Sequence, residues 1–131
     1  QIEAVSQFGR SLGLAFQISD DLLDILSTSE AAGKTLGTDL KQGKLTLAII
    51  HWLGQDPEKK QHRIGRLEQG IDRQSLVREM TDSGNLGYAC EQMQAQLSHA
   101  KASLGFLQDS AARQSLFDLA DYVAGRVQRL L

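Results

Sequence analysis

The sequence predicts an all-α protein, a bundle of amphipathic helices. Strand-like alternation is absent, the only proline is Pro57, and apolar residues recur at steps of three and four through most of the chain. A length of 131 residues bounds the chain to one domain or part of one. The net charge of −2 and an aromatic content of 5% argue against a nucleic-acid surface, which needs basic patches and stacking rings. The single cysteine, Cys90, suits a reducing, cytoplasmic setting. No run qualifies as a transmembrane segment, because the most apolar stretch, Ile2 to Leu26, contains Glu3, Arg10 and three aspartates.

The first helix is expected from Ile2 to about Ser27, and Gln1 to Val5 carry no N-cap signal, as if the helix were already under way. Its Gly9 and Gly13, one turn apart, suit close packing against another helix or, at Gly13, space for a ligand. Ser27 to Glu30 makes a polar turn, and a loop rich in glycine and lysine runs from Gly33 to Leu47. Thr46 is placed to cap a helix from Leu47 to Leu53 that carries Ile49, Ile50 and Trp52, with His51 a packing or surface residue. After the breaker Gly54-Gln55-Asp56-Pro57, the polar stretch from Glu58 to Arg66 reads as a solvated surface helix. A short amphipathic helix is expected from about Asp72 to Thr81, with Leu76, Val77 and Met80 inward. Beyond Ser83-Gly84-Asn85, the series Leu86, Cys90, Met93, Leu97, Ala100, Leu104, Leu107 forms one packing seam of a bundle. Gln108-Asp109-Ser110 restarts the chain, and Leu116, Leu119, Ala120, Val123, Val127 and Leu130 form the inner face of the last helix. Arg126 and Arg129 suit the negative end of that helix's dipole, or a grip on a second diphosphate.

Chemistry concentrates at Gln17-Ile18-Ser19-Asp20-Asp21-Leu22-Leu23-Asp24. At about 100° per residue, Gly13, Gln17, Asp20, Asp21 and Asp24 share one arc, while leucines, isoleucines and Phe16 fill the rest. A helix apolar nearly all round is expected to be buried, with its polar stripe lining a cavity. Three carboxylates within about one turn repel one another, and a cation is the natural remedy. Oxygen-only ligands suit magnesium, which takes one or two carboxylates, several waters and substrate phosphate oxygens. Zinc does not fit one cysteine and three histidines, His51, His62 and His99, without ligand spacing. The loop that follows is not a Walker P-loop, since Leu45 stands where a magnesium-binding Ser or Thr is required. Lys34 and Lys44 on it can still reach a phosphate held by metal on the neighbouring helix.

These strings resemble the trans-isoprenyl diphosphate synthases, the polyprenyl synthetase family. Phe16-Gln17-Ile18-Ser19-Asp20-Asp21-Leu22-Leu23-Asp24 is similar to the family's second aspartate-rich motif, F-Q-x-x-D-D-x-x-D. Gly33 to Leu47 is similar to its G-K-x-x-G-x-D-L-x-x-G-K-x-T-L sequel, with Ala48 where a proline is usual. The resemblance implies residues 1–131 as a partial isoprenoid synthase domain, the C-terminal part of that all-α fold. It implies Mg2+ on Asp20, Asp21 and Asp24, and contacts from Gln17, Lys34 and more weakly Lys44 to the diphosphate of an allylic substrate, with Asp39 ordering the loop. The implied reaction ionises the allylic diphosphate, adds isopentenyl diphosphate to the cation and loses a proton.

The family's first aspartate-rich motif is not found in these residues. The expected state is therefore a prenyltransferase fragment, inactive alone, that forms a homo-oligomer or associates with a missing N-terminal half. The alternatives are a non-catalytic regulatory or structural subunit paired with a complete synthase, and a class I terpene cyclase relative. Three clustered carboxylates argue against the purely structural role, and the second-motif string fits chain elongation better than cyclisation.

Overall fold

The computed structural model describes residues 1–26 and 42–129. The polar turn at Ser27 to Glu30, most of the glycine- and lysine-rich loop, including Lys34 and Asp39, and Leu130 lie outside the described residues. Six helices and no strand occur among the described residues: α1 (Ile2–Leu26), α2 (Leu47–Gln55), α3 (Lys60–Gln69), α4 (Arg73–Asp82), α5 (Asn85–Ser103) and α6 (Ala111–Gln128). The chain divides into two compact units, one of Gln1–Leu23 with Cys90–Leu131 and one of Asp24–Ala89.

Helix starts follow local capping chemistry. The Thr46 hydroxyl accepts from the Ile49 amide, an Asp72 carboxylate oxygen from the Ser75 amide at 2.9 Å, and the Ser110 hydroxyl from the Arg113 amide at 3.1 Å. Each satisfies one of the amides that a helix N-terminus leaves without an internal partner. Gly70 and Gly84 end or separate helices at φ +85° and +76°, where a side chain would be strained.

In the first unit, Phe8, Ala100 and Leu104 form a buried cluster, with Leu12, Leu107, Leu116 and Phe117 packed against it. The α5 seam is buried at Met93, Leu97, Ala100 and Leu104, as its four–three spacing requires. The inner face of α6 is narrower than its apolar pattern: Ala120, Val123 and Val127 are buried, but Leu119 is 44% exposed. Lys101 and Asp121 link α5 to α6 through an ion pair.

In the second unit, α2 buries Ala48, Ile49, Trp52 and Leu53, and α3 packs against it. The stretch from Glu58 to Arg66 is not uniformly solvated. Arg63 is buried at 6% exposure, donates to the Trp52 carbonyl and stacks on the Trp52 ring at 4.9 Å. One face of α3 must meet α2, and Arg63 and Leu67, one turn apart, are the two residues it turns inward. The Trp52 indole N–H and Arg66 both donate to Glu79 on α4, at 3.2 and 2.6 Å. His51 stacks on Tyr88 at 3.9 Å and donates from Nδ1 to Asn85 Oδ1 at 2.6 Å, so it is a packing residue.

Candidate functional site

Gln17, Asp20, Asp21 and Asp24 occupy the last turns of α1, whose buried side is formed by Phe8, Ser11, Ala15, Ser19, Leu22 and Ile25. Those six recur at steps of three and four, which turns the acidic arc to the opposite side of the helix. Gln17 and Asp24 are exposed, and Asp20 and Asp21 are half-buried. The expectation of a helix buried nearly all round does not hold, because Leu14 and Phe16 on this side are 48% and 44% exposed. Gly9 and Gly13 share the open side, and a Cβ added at either meets nothing within 4 Å. No neighbouring helix among the described residues therefore packs closely against either glycine.

Asp20 has one strong partner that local sequence gives no hint of. Arg126 of α6 donates from Nη2 to Asp20 Oδ1 at 2.6 Å, while its guanidinium lies over the Phe16 ring at 4.5 Å. The aspartate side chain is 46% exposed and the arginine 21%, so the pair is half-buried with the aspartate outermost. Arg126 Nη1 is buried and has no hydrogen-bond partner among the described residues. A second arginine supports the end of the same helix. Arg73 donates from Nε to the Ile25 carbonyl at 2.9 Å and from Nη2 to the Asp24 carbonyl, so it caps the turn that carries Asp24.

Lys44 is exposed two residues before the Thr46 cap, and Lys34 lies outside the described residues. Among the described residues, no three acid, imidazole or thiol groups converge closely enough to hold a metal by themselves. The aspartates can therefore supply only part of a coordination shell, through oxygen alone. That donor set fits magnesium, which keeps waters and takes phosphate oxygens, and does not fit a closed zinc cage. Burial pushes the Cys90 thiol up, with Glu91 adding to the shift, so the free thiol is protonated at neutral pH.

Two clefts lie elsewhere. One of about 820 Å³ in the second unit is lined by charges of both signs, among them Lys59, Arg66, Arg78, Glu79 and Asp82. The other, about 390 Å³ in the first unit, is mainly apolar and includes Ala4, Phe106 and Leu107. Neither contains any of the acids or lysines picked out from the sequence.

Among the described residues, no helix is long and apolar enough to cross a membrane. The family model for polyprenyl synthetase matches residues 1–83, which include the acidic string and the loop after it. The chain is 38% identical over 130 residues to a short chain isoprenyl diphosphate synthase of Methanothermobacter thermautotrophicus, covering 96% of this chain and 40% of the relative. It is 39% identical to a prenyl transferase of Synechocystis sp. over 92% of this chain and 38% of the relative. To the octaprenyl diphosphate synthase of Escherichia coli K12 it is 34% identical over 95% of this chain and 40% of the relative. The chain thus spans about 40% of the length of the curated relatives it matches. A match over most of the chain, centred on the helix that carries the aspartates and on the loop that follows it, makes this chain a member of the polyprenyl synthetase family.

Proposed function

We propose that this chain supplies the second metal- and diphosphate-binding half of a trans-prenyltransferase that joins isopentenyl diphosphate to an allylic diphosphate. The observation that carries the reading is the open acidic arc of α1, where Gln17, Asp20, Asp21 and Asp24 sit opposite the buried face. Asp20 and Asp24, with Asp21 beside them, would hold Mg2+ through carboxylate oxygens. Gln17, one turn before Asp20 and Asp21, donates its amide hydrogens to the same diphosphate. Lys34 contacts the diphosphate oxygens directly, and Lys44 adds weaker, longer-range attraction. Magnesium, when bound, stabilises the charge that collects on the departing pyrophosphate. The chain's own part is to supply anions for the metal and cations for the phosphate.

The test is calorimetric titration of inorganic pyrophosphate into the chain with and without Mg2+. Binding is expected only with Mg2+, and Asp20→Ala, Asp24→Ala and Lys34→Ala each weaken it by about tenfold or more. Equal binding by Asp20→Ala and the parent chain removes the metal assignment. Binding that ignores Mg2+ removes the whole reading.

A further inference from the structure

We propose that Arg126 is a resident counter-ion for Asp20 that competes with the metal, so that divalent cations bind this helix strongly only once diphosphate is present. The inference rests on the assignment of Asp20 as a magnesium ligand. It starts from charge. Asp20, Asp21 and Asp24 put three negative charges within about one turn of α1, an arrangement that repels itself. Arg126 Nη2 lies 2.6 Å from Asp20 Oδ1 and takes up part of that charge.

The arginine is held there by more than Coulomb attraction. Its guanidinium rests over the Phe16 ring at 4.5 Å, and Phe16 stands one turn before Asp20 on the same helix. Nη1 is buried without a hydrogen-bond partner among the described residues, a cost that the Asp20 contact and the ring together offset. Arg126 is thus a positioning residue poised between two arrangements: on Asp20, or released toward an anion that can satisfy both ends of its guanidinium.

A divalent cation arriving at Asp20 meets a fixed positive charge a few ångströms away. Ordering the carboxylate in advance favours the metal slightly, but repulsion between a single and a double positive charge at that distance outweighs it even in water. The arginine therefore weakens metal binding in the absence of anion. Diphosphate reverses the balance, because its oxygens attract both the metal and the guanidinium. Metal and diphosphate then bind with positive coupling, and the coupling is reciprocal.

The experiment measures Mn2+ binding to the 131-residue chain by electron paramagnetic resonance, with and without saturating inorganic pyrophosphate, for the parent chain, Arg126→Gln, Arg126→Lys and Asp20→Asn. Arg126→Gln is expected to bind Mn2+ alone about three- to tenfold more tightly than the parent. It should also gain less affinity than the parent when pyrophosphate is added. Arg126→Lys, which keeps the charge, should stay within about twofold of the parent. A folded Arg126→Gln that binds Mn2+ no more tightly, or gains as much from pyrophosphate as the parent, overturns the inference while leaving Asp20 as a ligand. If Arg126→Gln does not fold, Phe16→Leu decides: it keeps every charge and removes only the ring beneath the guanidinium. A rise of about twofold in Mn2+ affinity there supports the competition, and no rise overturns it. Equal Mn2+ binding by Asp20→Asn and the parent overturns both this inference and the ligand assignment beneath it.

Discussion

Glu79 shows how much a single side chain organises in the second unit. It accepts from Trp52 Nε1 and Arg66 Nη1, and Arg63 Nε lies 3.6 Å from it. Burial works against its charged form, but the Arg66 hydrogen bond and charge, the Trp52 hydrogen bond and the Arg63 charge outweigh it and hold the carboxyl below its usual range. Arg63, buried beside Trp52, would lose its nearest counter-charge without Glu79. Glu79→Gln is accordingly expected to cost about 1–3 kcal/mol at pH 7. The stability that the lowered carboxyl contributes is complete above its unfolded-state value and is lost as pH falls through the folded one. The gap between parent and variant should thus narrow below about pH 4, which urea unfolding at pH 7 and at pH 3.5 would reveal. An unchanged gap would mean that Glu79 acts through shape alone. The sequence does not disclose this cluster. Four cations stand between Lys59 and Arg66, and composition does not say which faces inward. The one available signal is that Arg63 lies four residues before Leu67, on the same helical face. Arg126 is harder still to foresee, because its partner Asp20 is 106 residues away.

At the scale of elements, boundaries with local causes were readable and those with distant causes were not. Thr46 was expected to cap the helix it precedes and does so, while Asp72 and Ser110, read only as the places where helices begin, prove to be caps as well. The first helix was expected to Ser27, and α1 is described as Ile2–Leu26, Ser27 lying outside the described residues. What holds its last turn is Arg73, which lies 48 residues beyond Ile25 and gives no sign of that role in sequence. Its guanidinium supplies donors to carbonyls that a helix end leaves unpaired. Arg73→Met keeps most of the apolar stem and removes the donors. It should cost about 1–2 kcal/mol and accelerate amide hydrogen exchange at Leu23 to Leu26 more than in the middle of α1. Equal protection in both variants would show that the bonds add nothing to the turn bearing Asp24. The apolar pattern of α1 extends beyond what the described residues bury. Leucines and isoleucines nearly all round the helix predict burial, yet Leu14 and Phe16 are open. Periodicity marks which faces a helix can bury, and Leu14 and Phe16 lie where no described residue covers them fully.

At the scale of the whole molecule, the all-α class was legible because a chain with one proline and steps of three and four has few other ways to bury its apolar residues. The family was legible in the acidic string and the loop after it, which lie within the residues that the polyprenyl synthetase family model matches. Residues 1–131 contain one D-D-x-x-D string, at Asp20 to Asp24, while the relatives are about two and a half times as long as the part matched here. Ionising an allylic diphosphate asks for charge stabilisation on several oxygens at once, and the one acidic stripe proposed above to hold metal would supply only part of that. We therefore expect the purified chain, given Mg2+, an allylic diphosphate and labelled isopentenyl diphosphate, to bind pyrophosphate but form no elongated product. Adding a separate polypeptide that carries the first aspartate-rich motif should restore Mg2+-dependent elongation, and Asp20→Ala should abolish the restored activity by about a hundredfold or more. Elongation by the chain alone would show that a single acidic helix suffices, and the division of labour proposed between two motifs would fall with it.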